Sequence, residues 1–210
     1  MPKLIKGSNS QASQESFVLN VLEEKMNGTY VELGGGWAKK NSNTYLLESR
    51  YNWKGLSFEN DPSRAKEYNI FRRNKTLQED ARFFDYEKYF VENNYPLTMD
   101  YLQMDLHPAF STFEALQNMP LAKYRFSTIT YEHNGYQDGW HKEYIQKGSQ
   151  DILSNLGYVL VVENVIFNGI AYEDWWVDPR SVPLKNYKDF FNKNINHSDL
   201  FDKEKTGVEQ

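Results

Sequence analysis

No cysteine occurs anywhere in the 210 residues. Disulfides and thiolate metal sites are therefore excluded, and a reducing compartment, the cytoplasm, is the expected location. Long apolar runs are also missing: nothing approaches the roughly 18 residues that a membrane span requires. The opening Met1-Pro2-Lys3-Leu4-Ile5-Lys6-Gly7 holds too few apolar residues for a secretion signal. Positive charge is in deficit, with 24 Lys and Arg against 29 Asp and Glu and a formal net charge of −5. Without a basic stripe, a nucleic-acid partner is not expected. Two phosphate-binding signatures are absent as well, the G-x-x-x-x-G-K-[ST] of triphosphate sites and the G-x-G-x-x-G of dinucleotide sites.

Aromatic residues, by contrast, are abundant, at 16% with 15 Tyr, 13 Phe and 5 Trp. Most must fill the core, but aromatic faces also stack on the weakly apolar C–H faces of sugars. The length suits one α/β domain over residues 11–196, flanked by a polar tail at 1–10 and a charged tail at 197–210. The expected assembly is a monomer or a homodimer.

The stretch 29–61 organises the rest. Tyr30-Val31-Glu32-Leu33 reads as a strand, Gly34-Gly35-Gly36 as a turn, Tyr45-Leu46-Leu47-Glu48 as a helix, and Gly55-Leu56-Ser57-Phe58 as a second strand ending on Glu59-Asn60-Asp61. In such a βαβ unit the glycine turn and the second strand's carboxylate face one crevice. Glu59 is then placed to accept hydrogen bonds from a ribose, and Glu32, just before the glycines, suits a ligand with a positive amino group. S-adenosylmethionine is such a ligand. Ser42 or Asn43 can cap the following helix, whose first N–H groups could hold the methionyl carboxylate.

The runs Val31-Glu32-Leu33-Gly34-Gly35-Gly36, Asn41-Ser42-Asn43-Thr44-Tyr45-Leu46-Leu47-Glu48 and Trp53-Lys54-Gly55-Leu56-Ser57-Phe58-Glu59 resemble the FkbM family of S-adenosylmethionine-dependent methyltransferases. The resemblance implies a Rossmann-like class I fold: a central, mostly parallel sheet of about seven strands with an antiparallel C-terminal hairpin and helices on both faces. It also places Gln14 near the methionine end of the cofactor, Asp80 and Ala81 at the adenine, and Asp105 at the end of the fourth strand. The chain departs from the family at Gly36-Trp37 in the loop and at His107-Pro108, where an acid and a glycine are usual.

The strand expected at 125–131 runs into Glu132-His133-Asn134-Gly135-Tyr136. Methyl transfer to a sugar hydroxyl needs a base, since that hydroxyl's own pKa lies far above 7, and a positioned base contributes about 10²- to 10⁴-fold. His133 and His107 are the candidates, with Glu132 beside them. In a second arrangement Asp105, Glu132 and His133 ligate Mg²⁺ or Mn²⁺, which would lower the hydroxyl's pKa. Tyr136, Trp175 and Trp176 are candidate acceptor contacts, the tryptophans in a family-like Glu173-Asp174-Trp175-Trp176-Val177 segment read either as a lid or as a latch for the C-terminus. The expected activity is O-methylation of a sugar or glycan; the competing expectation is a glycan-binding module that keeps the fold without the chemistry.

Overall fold

The computed structural model describes residues 2–133 and 140–202, apart from the side chains of residues 140–142. Its helices are α1 (Gln14–Val21), α2 (Tyr45–Ser49), α3 (Pro62–Phe71), α4 (Tyr86–Glu92), α5 (Ala109–Asn118) and α6 (Trp140–Asn155). Its strands are β1 (Thr29–Leu33), β2 (Lys54–Phe58), β3 (Thr76–Leu77), β4 (Thr98–Met104), β5 (Arg125–Glu132), β6 (Val159–Phe167), β7 (Ile170–Val177) and β8 (Asn192–Asn196). They form one sheet in the order β3-β2-β1-β4-β5-β7-β6-β8. β3, β2, β1, β4 and β5 are parallel, and β7 runs antiparallel to both β5 and β6. The order reverses between β1 and β4, so the crevice of a doubly wound sheet opens above those two strand ends.

Three features depart from the sequence reading. An eighth strand, β8, pairs parallel with β6 in a region rich in Asn. The Glu173-Asp174-Trp175-Trp176-Val177 segment is the last antiparallel strand itself and not a lid. Residues 2–13 pack along the body: Ile5 is buried, its N–H donates to Ser16 Oγ (3.0 Å), and Lys3 bridges to Asp202.

Strand register separates two faces. Val31, Leu33, Leu56, Phe58, Leu102, Met104, Ile129 and Tyr131 form an apolar face packed against residues of α4, α5 and α6 such as Phe90, Phe113, Leu116, Ile145 and Leu153. The opposite face carries Tyr30, Tyr101 and Trp175 beneath Phe17, Leu47 and Phe190. A polar row crosses that second face, because Ser57, Glu32, Gln103 and Thr130 are register partners in successive strands. All four are buried. Adjacent residues in a strand point to opposite faces, so Trp175 stacks on Phe17 (centroids 4.6 Å apart) while Trp176 belongs to the apolar cluster. Both are fully buried, and neither can touch an acceptor in the crevice. Among the described residues no helix is long and apolar enough to cross a membrane.

Candidate active site

A cleft of about 440 Å³ opens at the switch point. Its wall includes Glu32, Gly34, Gly35, Gly36, Ser42, Asn43, Glu59, Asn60, Asp80, Ala81, Asp105 and His107, so eleven of the twelve expected cofactor residues and one candidate base converge. Gln14, the twelfth, is buried on α1 beside Glu173, where its Oε1 accepts from the Ala12 N–H.

The glycine turn is sewn to the neighbouring strand ends. The N–H groups of Gly34 and Gly35 both donate to the Phe58 carbonyl (3.0 and 2.8 Å), and Asp105 N–H donates to the Leu33 carbonyl (3.0 Å). Gly34 has φ +87°, and a Cβ there would sit 1.9 Å from the Asp105 carbonyl oxygen. Gly36 donates its N–H to Glu59 Oε2 (2.8 Å), while Glu59 Oε1 accepts from Asp61 N–H (2.9 Å). Each carboxylate oxygen can take a further donor, so Glu59 both shapes the loop and keeps capacity for a diol.

Glu32 is held from within the protein. Thr44 Oγ1 donates to its Oε1 (2.8 Å), and Ser57 Oγ and Tyr68 OH donate to its Oε2 (2.6 and 2.8 Å). Burial raises its pKa, opposed by the Arg72 guanidinium and these hydroxyls. Arg72 itself is buried, donating to Glu48 (2.9 Å), Thr44 Oγ1 (2.9 Å) and Ser42 Oγ (3.1 Å), and so locks the segment that forms the cleft's far wall. The helix-end cradle is smaller than expected: Ser42 Oγ accepts from Tyr45 N–H (3.1 Å), and Glu15 Oε1 accepts from Leu46 N–H (2.6 Å). Asn43 Oδ1, buried and without a partner, remains as an acceptor at this end. Asp80 forms a close pair with Arg82, whose hydrogen bonds hold its carboxyl below the usual range.

The acceptor side divides by strand parity. Glu132 is the register partner of Glu173 across β5 and β7, on the polar face, and lies beside Asp105. Burial, then the Asp105 charge, push its pKa strongly upward. Tyr172 OH joins this group, with Gln11 Oε1 (3.1 Å) and Asp105 Oδ2 (3.4 Å) as the two acceptors within reach of its one proton. His133 is the next residue in the chain and is directed elsewhere. It is buried, with Nε2 at 3.4 Å from Asp174, which also accepts from Asn164 N–H (2.8 Å) and Gln150 Nε2 (2.9 Å). The expected metal triad of Asp105, Glu132 and His133 is thus split, and no group of three or more His, Asp or Glu side chains among the described residues is arranged to hold an ion. Its third member sits against Asp174, outside the cleft wall. Tyr136 lies outside the described residues.

Several residues of the wall carried no signal in the sequence reading: Gln11, Lys40, Arg64, Leu106 and Ser111. Trp37, whose place in the loop departs from the family pattern, lies at the rim with the Arg64 guanidinium 5.3 Å from its ring centroid.

The buried acids make stability depend on pH. Burial raises Glu15 to about 7 against donors from Asn9 and Leu46, and raises Glu173 to about 8 against the Trp175 indole. Their folded pKa values exceed the unfolded value, so the native state binds more protons above about pH 4.5, and stability falls as pH rises through 7 and 8. The melting temperature should be higher near pH 5.5 than at pH 8.5, a loss on the order of a few kcal/mol. Glu173→Gln, which keeps an acceptor for Trp175 Nε1, should flatten the curve; an unchanged slope in that variant would remove Glu173 from the account.

No family model matches the chain, and no curated protein matches it. Solved structures do. A protein from Clostridium thermocellum assigned as an rRNA methylase superposes with TM-score 0.53 and 13% identity, over 83% of this chain and 97% of the other. One from Klebsiella pneumoniae assigned as an O-methyltransferase gives TM-score 0.52 and 11% identity over 83% of both chains. The methyltransferase domain of METTL16 gives 0.54 and 10%, over 78% of this chain and 65% of that one. The fold is therefore the Rossmann-like fold of class I methyltransferases, as the sequence predicted.

Proposed function

We propose that this chain is an S-adenosylmethionine-dependent O-methyltransferase that acts on a hydroxyl of a sugar. One observation carries the cofactor reading: a glycine turn, a diol-accepting carboxylate and a strand-end acid converge on a single cleft at the switch point. Glu59 would hold the ribose, Asp80 and Ala81 the adenine, and Asn43 Oδ1 the methionyl ammonium, while Gly34 lets the backbone pass where no side chain fits. The bound sulfonium supplies an activated methyl group. Asp105, on the cleft wall, receives the acceptor hydroxyl's proton, and Glu132 behind it raises the proton affinity of the pair. His107, also on the wall, is the alternative base. Asp105, Gln11, Asn41 and Ser111 present acceptors for hydroxyl donors along the wall, which supports a polyhydroxylated acceptor.

The direct test is calorimetry with S-adenosylhomocysteine. Wild-type protein should bind it, and Glu59→Ala should weaken binding at least about 30-fold, because charge-assisted hydrogen bonds contribute roughly 1.5–3 kcal/mol each. Equal affinity in the variant would remove Glu59 from the ribose site. Absence of binding by the wild type would favour the glycan-binding module.

A further inference from the structure

The chain is acidic overall, yet its charge is not evenly spread. Seven of its 24 Lys and Arg fall within residues 37–40 and 62–75, which hold a single acid, Glu67. Arg72 is consumed in the buried network, and Arg73 and Lys75 bond to backbone carbonyls. Arg64, Lys66, Lys39 and Lys40 stay exposed. These cations alternate with rings: Arg64 lies 5.3 Å from the Trp37 centroid, and Lys39 Nζ lies 5.3 Å from Phe71 and 5.7 Å from Tyr45. Trp37 is 48% exposed and Phe71 57%. Arg64 and Phe71 are seven residues apart on α3 and so share a face about 10 Å long. The resulting strip starts at the cleft rim, where Trp37 and Arg64 line the wall, and runs outward along α3.

The cleft thus has two poles of unlike chemistry. At one, Asp105 and Gln11 line the wall in front of the buried Glu132, Tyr172 and Glu173; at the other, cations and ring faces are presented to solvent. An acceptor that satisfies both carries neutral hydroxyls where it reacts and negative charge further along. We propose that the strip of Trp37, Lys39, Tyr45, Arg64 and Phe71 docks the anionic portion of the acceptor, an acidic oligosaccharide whose rings stack on the aromatic faces and whose carboxylate or sulfate groups meet Lys39 and Arg64. This rests on the sugar-acceptor reading above. A nucleic acid fits less well, because every ribose is flanked by phosphates, which would bring a phosphate beside the reacting hydroxyl at Asp105 while the strip's cations lie out at the rim and along α3.

The test uses the full chain with three hexamers: maltohexaonic acid, in which oxidation of the reducing end leaves one carboxylate beyond five neutral rings, neutral maltohexaose and hexauridylate. Calorimetry should show that maltohexaonic acid binds, that binding weakens with salt as exposed charges are screened, and that maltohexaose binds at least tenfold more weakly. Lys39→Gln combined with Phe71→Ala should weaken the anionic saccharide about tenfold. Neither residue lines the cofactor cleft, so S-adenosylhomocysteine affinity should not change in that variant. Failure of maltohexaonic acid to bind, or equal binding by the double variant, overturns the proposal. Hexauridylate binding as tightly, with the same sensitivity to the variant, overturns it in favour of a nucleic-acid strip. If the saccharide binds and S-adenosylhomocysteine does not, the docking strip stands and the methyltransferase reading falls.

Discussion

Gly34→Ala should cost about 3 kcal/mol or more of stability and abolish S-adenosylhomocysteine binding. Two independent penalties meet at this residue. Its φ of +87° is one that side chains rarely adopt, and its Cβ would stand 1.9 Å from a backbone oxygen, that of Asp105. A backbone atom cannot swing aside as a flexible side chain does, and this one follows β4 directly, at the point where Asp105 N–H pairs with the Leu33 carbonyl. Relief would require β1 and β4 to part at the strand ends that form the cleft floor. Gly36→Ala is the matched control: it also has positive φ (+54°), but nothing lies within 4 Å of the added carbon. Its cost should be only the left-handed strain, roughly 1–2 kcal/mol. Urea denaturation of both variants, with calorimetry on the folded protein, separates the contributions. Equal destabilisation by the two would show that backbone freedom, and not close approach to Asp105, is what Gly34 supplies.

The glycine turn was legible because its chemistry is local: an apolar run, three glycines and an acid after the next run specify a switch-point crevice without long-range information. Glu32 and Glu59 on the candidate cofactor wall followed from the same logic, since strand ends in a parallel sheet share one edge, whereas Asp80, Ala81 and Asp105 came from the resemblance to the FkbM family. Parity at the end of β5 was not legible in this way. With a strand expected to stop at Tyr131, Glu132 and His133 read as loop residues free to face the same crevice. The strand in fact continues through Glu132, and alternation carries His133 to the opposite face, against Asp174. A slip of one residue in a boundary exchanges the two faces, and boundaries are what sequence pattern determines least well. Trp175 and Trp176 met the same problem, since two adjacent aromatic residues read as one surface feature until they are recognised as part of a strand buried on both sides. Residues 2–10 and β8 were missed for a different reason. Both are polar, and both are ordered by pairing with distant parts of the chain, Lys3 with Asp202 and Asn192 with Val162, which no local pattern announces.

Asp105→Asn should lower turnover by about 10²- to 10⁴-fold, the range expected for loss of a positioned base, while S-adenosylhomocysteine affinity falls no more than about tenfold. Asp105 lines the cleft and Glu132 lies behind it, so a proton taken from the acceptor by Asp105 can pass to Glu132 only once Glu132 has lost its own. Burial and the Asp105 charge both favour protonated Glu132, which fixes the sign of the pH dependence. The pair must be ionised to act as a base, so turnover in the wild type should rise with pH on the alkaline side of neutrality. Glu132→Gln deletes the raised group, so the rising limb that it sets on the alkaline side should disappear and the plateau should fall. Tritiated methyl transfer into a panel of acidic oligosaccharides, followed from pH 5 to 10, reads both effects. Carboxyl ¹³C NMR provides a check that needs no acceptor, because Asp105→Asn should bring the Glu132 titration back toward the ordinary carboxylate range. Should Glu132→Gln keep the wild-type profile while His107→Ala loses turnover, the base is His107, and the Asp105–Glu132 pair serves only to hold the cleft floor in place.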